Sequence, residues 1–426
     1  MDRIVIIGAG ISGLTAAYFL KKPCEILEAE SHAGGLCYSY YDNGFVFDYS
    51  GHFIHIKDMK IKKLVDKLTG GVNEVKRNAS IYIKNNFVPY PFQANLYYLD
   101  EKTKKECVEG ILKRKDVEIS TIMSFIDWAE TTFGKGITKY FMKPYNQKLW
   151  SYDLNKMTAE WVGLFVPKPN VESIIKSAYS ENKKKYGYNS VFYYPKNKGS
   201  GALIDGLVKK IKINLNAKTE KIDIKNKTVL SSEEKLYKYN TIISTQPLPE
   251  LIKQIQNVPE KVKAAASKLL SNSVRCINIG VKSKEGIPHP LKDIHWMYIP
   301  DKKFSFYRIG VYSNINKNNA PKNSYSFYVE YSSFNGKYKN TKNVVNDLKK
   351  IGFIRDSDKA AVISVVDIPY AYVIFDKNRQ KALEVINLFL KENKIFSIGR
   401  YGAWRYSFIE EDMKNAMATA GLINRQ

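Results

Sequence analysis

The sequence predicts an α/β protein in which a parallel sheet with its helices is interrupted by a helical insertion and by a second, antiparallel sheet. The first evidence is the apolar run Ile4–Ile7, which is typical of a buried parallel strand. It leads into a glycine-rich turn over residues 8–13 and then into an apolar helix pattern over residues 14–20. The second evidence is that similar strand patterns return far downstream, at 241–247 and 395–400. The first domain is therefore expected to be assembled from separated segments.

The turn has the spacing G-x-G-x-x-G between a strand and a helix. Gly8 permits the tight turn, Gly10 lets the backbone approach a pyrophosphate, and Gly13 lets the helix pack closely on the strand. A second strand, 24–28, ends in Glu28, about twenty residues after the first glycine, where a carboxylate accepts a ribose hydroxyl. The strand, turn, helix, second strand and acid in this order predict a dinucleotide site in a Rossmann-like domain. A merely glycine-rich turn would not need the second strand and the acid at these positions.

A glycine pair after the acid favours FAD over a nicotinamide cofactor. Gly34-Gly35 allows the backbone to run close to an extended cofactor, and the strand pattern that follows ends at Gly51-His52. His52 is expected near the isoalloxazine, and a histidine satisfied by its own backbone is the equal alternative. The predicted cofactor-binding residues are Gly8, Gly10, Ile11, Ser12, Gly13, Glu28, Gly34, Gly35, Leu36, Gly51 and His52.

Composition limits the remaining function classes. The chain has 426 residues, enough for two or three domains, and a formal net charge of +25 from scattered lysines. That excess favours anionic partners or reflects a well-solvated lysine-rich surface, and no nucleic-acid-binding signature accompanies it. The four cysteines show no paired framework or zinc-ligand spacing, and no 18-residue apolar run is present. A cytoplasmic protein without a membrane span or metal is expected, and a homo-oligomer is left open.

The domain boundaries follow from these patterns. A dense alternation of apolar and polar residues after residue 273 predicts the second sheet, and residues 103–165 look mainly helical. The predicted units are an FAD-binding domain in segments 1–90, 189–265 and 376–426, a mainly helical substrate domain at 91–188, and an antiparallel sheet domain at 266–375.

Three stretches resemble the UDP-galactopyranose mutase family, closest to its eukaryotic-type branch. They are Pro89–Gln93, Phe141–Trp150 and Gly399–Tyr406, and the weaker motifs at 51–52 and 194–201 agree in order along nearly the whole chain. The resemblance implies a redox-neutral isomerase of cell-surface polysaccharide biosynthesis. In this family the reduced flavin N5 forms an adduct with the anomeric carbon of UDP-galactopyranose, the sugar ring reopens and closes as galactofuranose, and NADPH is the usual reductant.

The resemblance also implies residue roles. Tyr90 and Phe92 would flank the uracil, Gln93 and Asn146 would hydrogen-bond the base or ribose, and Arg308 would bind the diphosphate. The full set of implied substrate contacts is Tyr90, Phe92, Gln93, Met142, Asn146, Trp150, Asn189, Trp296, Tyr298, Arg308, Tyr372 and Tyr406. The implied catalytic residues are Arg308, His52, Tyr372 and Tyr406, and Arg400 would meet the flavin.

One departure concerns the substrate. Phe165 stands where the family has a second diphosphate arginine, so either another cation such as Lys168 replaces it or the leaving group differs. Glu410 lies near a family asparagine that touches the substrate. Two other classes stay open beside the mutase: an FAD-dependent oxidoreductase of the amine-oxidase type acting on a small molecule, and a flavoprotein-derived binding protein.

Overall fold

A computed structural model describes residues 3–114, 123–182, 186–187, 190–209 and 211–426. The strands are β1 (Ile4–Ile7), β2 (Cys24–Leu27), β3 (Ser39–Asp42), β4 (Phe45–Asp48), β5 (Val72–Lys76), β6 (Ala79–Ile83), β7 (Asn86–Pro89), β8 (Val191–Pro195), β9 (Ile213–Asn214), β10 (Thr219–Asp223), β11 (Thr228–Ser231), β12 (Leu236–Lys238), β13 (Thr241–Ser244), β14 (Ser273–Lys282), β15 (Trp296–Tyr298), β16 (Arg308–Gly310), β17 (Ser324–Ser333), β18 (Lys359–Ile368) and β19 (Ile395–Ser397).

The helices are α1 (Ile11–Phe19), α2 (Met59–Thr69), α3 (Glu101–Leu112), α4 (Phe125–Ile137), α5 (Lys143–Trp150), α6 (Val162–Phe165), α7 (Val171–Lys176), α8 (Gly201–Val208), α9 (Leu248–Gln254), α10 (Glu260–Ala266), α11 (Tyr312–Ile315), α12 (Val344–Lys350), α13 (Arg379–Glu392), α14 (Gly399–Gly402) and α15 (Ile409–Arg425). A π-helical turn over Thr138–Met142 joins α4 to α5. In the part of the chain that the structure describes, none of the helices is long and apolar enough to cross a membrane.

A five-stranded parallel sheet has the order β19-β13-β1-β2-β9. Its central strand β1 is buried along its whole length, which explains its continuous apolar sequence. The strands come from three distant parts of the chain, since β1 pairs with β13 and β13 pairs with β19. This arrangement confirms the predicted Rossmann-like domain built from separated segments.

The second sheet has seven strands in the order β18-β14-β17-β16-β15-β6-β7. Long antiparallel pairings join β14 to β17 and β18, as the alternating sequence predicts. The strands β6 and β7 also join this sheet, through a parallel pairing of β6 with β15. One face packs on the cofactor and helical regions, and the other carries a separate apolar core beneath α12.

The helical insertion sets the position of α5. Asp100 and Ser124 accept the first free N–H groups of α3 and α4 as N-caps, at 2.9 and 3.1 Å. The two helices cross closely enough that a Cβ on Gly110 would lie 2.5 Å from the Gly136 nitrogen. The π-turn that follows rotates the chain into α5, so the face bearing Asn146 and Trp150 lies against the interior.

Candidate active site

The glycine-rich turn forms a tight cradle between β1 and α1. Gly8 has φ +97°, and its N–H donates to Leu27 O at 2.8 Å. A Cβ there would lie 2.3 Å from Thr245 Oγ1, and a Cβ on Gly13 would lie 2.0 Å from Gly8 O. The helix therefore approaches the strand at a distance that only glycine allows, and its free N–H groups face the space above β1.

Glu28 lies at the end of β2 beside this cradle and is 9% exposed. Its carboxylate accepts the backbone N–H of Ala9 at 2.7 Å and of Glu30 at 3.0 Å. Each oxygen keeps lone-pair capacity for a further donor, so the residue is fixed in position and still able to accept ribose hydroxyls.

A single cavity of about 790 Å³ extends from this cradle to the aromatic residues of α5 and the second sheet. It brings together most of the residues selected from the sequence. Those that line it are Gly8, Gly10, Ile11, Ser12, Glu28, Gly34, Gly35, Leu36, Gly51, His52, Tyr90, Gln93, Met142, Asn146, Trp150, Trp296, Tyr298, Arg308, Tyr372, Arg400 and Tyr406.

Two selected residues of the described chain do not line the cavity wall. Gly13 lies beneath Gly8, where its role is helix–strand packing. Phe92, expected beside a base, is 0% exposed and stacks on Phe141 at 5.3 Å, so in this structure it supports the wall from behind. Asn189 lies outside the described residues.

His52 lies on the loop after β4 and is neutral in this setting. Its Nδ1 is hydrogen-bonded to the carbonyl oxygen of Tyr49. Burial, and next the neighbouring Arg400 charge, lower the pKa of His52 to about 4. A carbonyl only accepts, so Nδ1 carries the proton and Nε2 remains an acceptor.

Arg308 forms a two-point ion pair with Glu330 of β17. Its Nη2 lies 2.8 Å from Glu330 Oε1, and its Nε also contacts Oε2. Burial opposes the charge, but the carboxylate offsets it and raises the pKa of Arg308 above its usual range. Glu330 is 1% exposed, and it orients the guanidinium so that the remaining N–H groups can serve a ligand.

Arg400 lies over two neighbouring tyrosine rings. Its guanidinium carbon lies 4.5 Å from the Tyr406 ring centroid and 5.5 Å from that of Tyr372. Nη1 donates to Ser407 O at 3.2 Å and Nη2 to Ala371 O at 3.0 Å, whereas the buried Nε has no hydrogen-bond partner among the described residues. An unsatisfied cationic N–H of this kind fits an oxygen acceptor on a bound ligand.

The far end of the cavity is an aromatic box. Tyr90 and Tyr298 have ring centroids 4.9 Å apart, and Trp296 Nε1 donates to the Tyr298 hydroxyl at 2.9 Å. Gln93 donates through Nε2 to Pro167 O at 2.6 Å, while its buried Oε1 has no partner in the described chain. This box therefore offers stacking surfaces and one free acceptor, which are the elements that bind a planar base.

Asn146 is more constrained than its predicted role implies. Its Nδ2 donates to Met142 O at 2.7 Å, and its Oδ1 accepts from Trp150 Nε1 at 3.2 Å. Through its bond to Nε1, Asn146 fixes the Trp150 ring. One amide proton remains for a ligand.

Phe165 gives the cavity an apolar wall where the resemblance leads one to expect an arginine. Its ring centroid lies 4.2 Å from that of Tyr406 and 5.1 Å from that of Phe408. Lys168 does not replace the missing charge, because its Nζ lies over the Trp128 ring, 5.2 Å from the centroid, and not in the wall. The cationic side chains of lysine and arginine that line the cavity in the described chain are Lys218, Arg308 and Arg400.

Glu330 and Ser50 are among the cavity residues that the sequence reasoning missed, and Glu410 has another role than the one expected. Glu330 had a signal, because it is the lone charged residue of the strand β17, whereas Ser50 had none. Glu410, placed loosely near the substrate, instead accepts the N–H groups of Lys57 and Asp58 at 3.0 and 2.8 Å and so anchors the segment that leads into α2.

Comparisons with known proteins agree with this geometry. A family model described as an NAD(P)-binding Rossmann-like domain matches residues 6–68. Protoporphyrinogen oxidase 2 of Arabidopsis thaliana is 27% identical over 161 residues, which cover 34% of this chain and 31% of that protein. All-trans-retinol 13,14-reductase of Danio rerio is 35% identical over 72 residues, 16% of this chain and 12% of that protein. The matched parts are thus less than a third of either relative.

Solved structures match over the whole chain. Reduced UDP-galactopyranose mutase superposes with a TM-score of 0.91 at 28% identity, covering 99% of this chain and 94% of that one. A putative protoporphyrinogen oxidase from Exiguobacterium gives 0.76 at 14% identity, covering 100% and 99%, which shows the fold alone.

The fold, the cradle and these neighbours define a dinucleotide-binding flavoprotein. Over its whole length, moreover, the chain shares its structure with the UDP-galactopyranose mutase family, and the resemblance predicted from the motifs is confirmed. Assignment to the eukaryotic-type branch stays a prediction.

Proposed function

We propose that this chain is an isomerase that converts a nucleotide-activated hexopyranose into its furanose form, with FAD as cofactor. UDP-galactopyranose is the best single candidate substrate. The observation that carries the proposal is the continuous cavity, which joins a dinucleotide cradle to an aromatic box through a central group of two arginines and two tyrosines. The likeness to reduced UDP-galactopyranose mutase supports it.

The central group suits a leaving diphosphate. When bound and reduced, the flavin supplies the nucleophile for a redox-neutral ring contraction. The free N–H groups of Arg308 and Arg400 stabilise the charge that develops on the departing phosphate oxygens. The hydroxyls of Tyr372 and Tyr406 add neutral donors beside them, with ring centroids 5.7 Å apart.

The remaining residues orient the substrate and exclude water. Tyr90 and Tyr298 stack on the base, and Gln93 Oε1 accepts a base N–H, which discriminates against bases that lack a donor there. At neutral pH the Nε2 of His52 is unprotonated, so it can accept a hydrogen bond beside the cofactor and adds no charge there.

The decisive experiment uses the purified flavoprotein reduced with dithionite. UDP-galactofuranose is added, UDP-galactopyranose is quantified, and the same assay is repeated with dTDP- and GDP-hexoses. We expect product without net consumption of reductant, and no turnover by the oxidised protein. Absence of product from every nucleotide sugar would contradict the proposal, and stoichiometric use of O₂ or another acceptor would favour the oxidoreductase of the amine-oxidase type. NADPH as reductant, a cytoplasmic location and a role in galactofuranose polysaccharide synthesis remain part of the proposal.

A further inference from the structure

Ser50 adopts an unusual backbone conformation at the centre of the site. Its φ is +64°, in the left-handed region that favours glycine, and the next residue is Gly51. The Ser50 N–H donates to Asp48 O at 2.9 Å, and the His52 N–H donates to Ser50 O at 3.1 Å. The chain thus makes two tight successive turns immediately before His52, and a non-glycine residue persists there only if its surroundings hold it.

The side chain of Ser50 provides one such contact. Its buried hydroxyl, on a residue 2% exposed, donates to Glu330 Oε1 and accepts the Gly51 N–H at 2.6 Å. Arg308 Nη2 lies 3.4 Å from Ser50 Oγ. A hydroxyl has one proton, which Ser50 donates to the carboxylate of Glu330. Its oxygen accepts from the Gly51 N–H, so Ser50 links the ion pair to the Gly51 peptide.

Buried hydrogen bonds hold the segment before Ser50. Asp48 is 0% exposed and accepts hydrogen bonds from Tyr194 at 2.8 Å and from the Ser200 N–H at 2.9 Å. The Tyr312 hydroxyl also donates to Asp48 O at 2.9 Å. A shift of the Ser50 hydroxyl is therefore opposed on the side of Asp48, and the peptide bonded directly to that hydroxyl is Gly51.

We propose that Ser50 is a positioning residue that couples an anion bound by Arg308 to the backbone of Gly51 and His52, and thereby to the surroundings of the flavin. An anion draws the guanidinium toward the cavity and weakens its two bonds to Glu330. The carboxylate then depends more on the Ser50 hydroxyl, and the Gly51 peptide that shares this hydroxyl shifts with it. The inference rests on the proposed function for the nature of the anion, but the coupling needs only an anion at Arg308.

The test compares variants of the oxidised flavoprotein titrated with UDP and, separately, with inorganic pyrophosphate. The flavin absorbance difference spectrum reports on the surroundings of the flavin, and calorimetry gives the affinity. For the unchanged protein we expect a spectral change at saturation. Ser50→Ala should reduce its amplitude at least threefold while the affinity changes less than threefold, and Ser50→Gly should behave in the same way although it relieves the backbone.

Two further variants keep the test decisive. Ser50→Asn retains a donor toward Glu330 and tolerates a positive φ, so it should restore most of the amplitude even if Ser50→Ala fails to fold. Asn43→Gly relieves another positive φ, +48° in the exposed turn after β3, and should leave the amplitude unchanged. Full amplitude in Ser50→Ala or Ser50→Gly, no rescue by Ser50→Asn, or no response of the unchanged protein to either ligand would overturn the coupling. A response to pyrophosphate but not to UDP would support the coupling and contradict the nucleotide-sugar proposal instead.

Discussion

Arg308 combines a ligand-facing guanidinium with a buried carboxylate partner. Arg308→Ala should lower kcat/KM roughly thirtyfold, because a charge-assisted contact to phosphate is worth about 2 kcal/mol. It should also destabilise the fold, because Glu330 is left buried without its cation. Steady-state kinetics of the reduced enzyme and urea unfolding measure the two effects.

A double variant separates the two effects. Arg308→Gln with Glu330→Gln removes both charges, so it should recover stability but not activity. Arg355→Ala is the control, since Arg355 pairs with Asp358 at 3.5 Å, outside the cavity wall. Turnover of Arg308→Ala within threefold of the unchanged enzyme would refute the assignment of this arginine to the phosphate.

A second prediction concerns Phe165 and the affinity for UDP. Phe165→Arg places a cation in the cavity wall beside Tyr406, and one charge-assisted bond should tighten UDP binding roughly tenfold. Phe165→Leu, which removes the ring without adding charge, controls for the lost aromatic packing. Calorimetry with UDP decides: equal affinity in the two variants would mean that the diphosphate does not pass this wall.

Individual side chains show where sequence reasoning succeeds and where it stops. Gly8 and Glu28 were predictable because a local turn and strand dictate their chemistry within thirty residues of chain. The burial of Phe92 was not, because it depends on Phe141, which the helical insertion brings against it. The pairing of Arg308 with Glu330 was not either, because it depends on a sheet register that the sequence does not state. Spacing motifs therefore predict the cofactor end of the site better than the substrate end.

The close approach of α1 to β1 can be tested at Gly13. In Gly13→Ala the new methyl group would meet Gly8 O at 2.0 Å, so α1 must move away from β1. We expect a loss of about 1–3 kcal/mol in stability and a marked loss of bound flavin, since the helix N-terminus no longer faces the pyrophosphate. Flavin content after purification and thermal unfolding measure both.

Gly421→Ala is the matched control. Gly421 lies within α15, and an added Cβ there meets nothing within 4 Å. Alanine is the better helix former by about 0.5–1 kcal/mol, so this variant should keep its flavin and be slightly more stable. Equal flavin content in both variants would show that the close approach of α1 is not required for the cofactor.

Pairing between elements was the least predictable feature of the fold. The strands β1, β2, β13 and β19 and the alternating strand β14 follow from local pattern. The parallel pairing of β6 with β15 does not, because it joins segments more than two hundred residues apart. That pairing is nevertheless what sets Tyr90, just after β7, against Tyr298 of β15.

For the molecule as a whole, the cavity exists because three units meet around it. The parallel sheet contributes the cradle, the helical insertion contributes α5, and the second sheet contributes Arg308 and Glu330. The units are interleaved along the chain, so no contiguous fragment carries the complete site. A change of pH that charges or neutralises the buried histidines and carboxyls should therefore change the free energy of unfolding and the geometry of the site together.

The pH dependence of stability tests this link. Burial lowers the pKa of both His52 and His55 to about 4, below the value of about 6.5 in an unfolded chain. Between these values the unfolded state binds more protons, so each histidine contributes stability that is present above pH 6.5 and lost as the pH falls toward 4, by up to about 3 kcal/mol. Burial raises the pKa of Asp48 and Asp412, which acts in the opposite direction.

A difference between variants isolates the histidine contribution from these carboxyls. His55→Gln removes one titrating group from the cavity wall, and His289→Gln, at an exposed position, is the control. The free energy of unfolding in urea, measured on the flavoprotein from pH 7.5 to 4.5, should fall less steeply in His55→Gln than in the unchanged protein or the control. Parallel profiles for all three proteins would mean that His55 becomes protonated without unfolding, and that the cavity admits a charge at this wall.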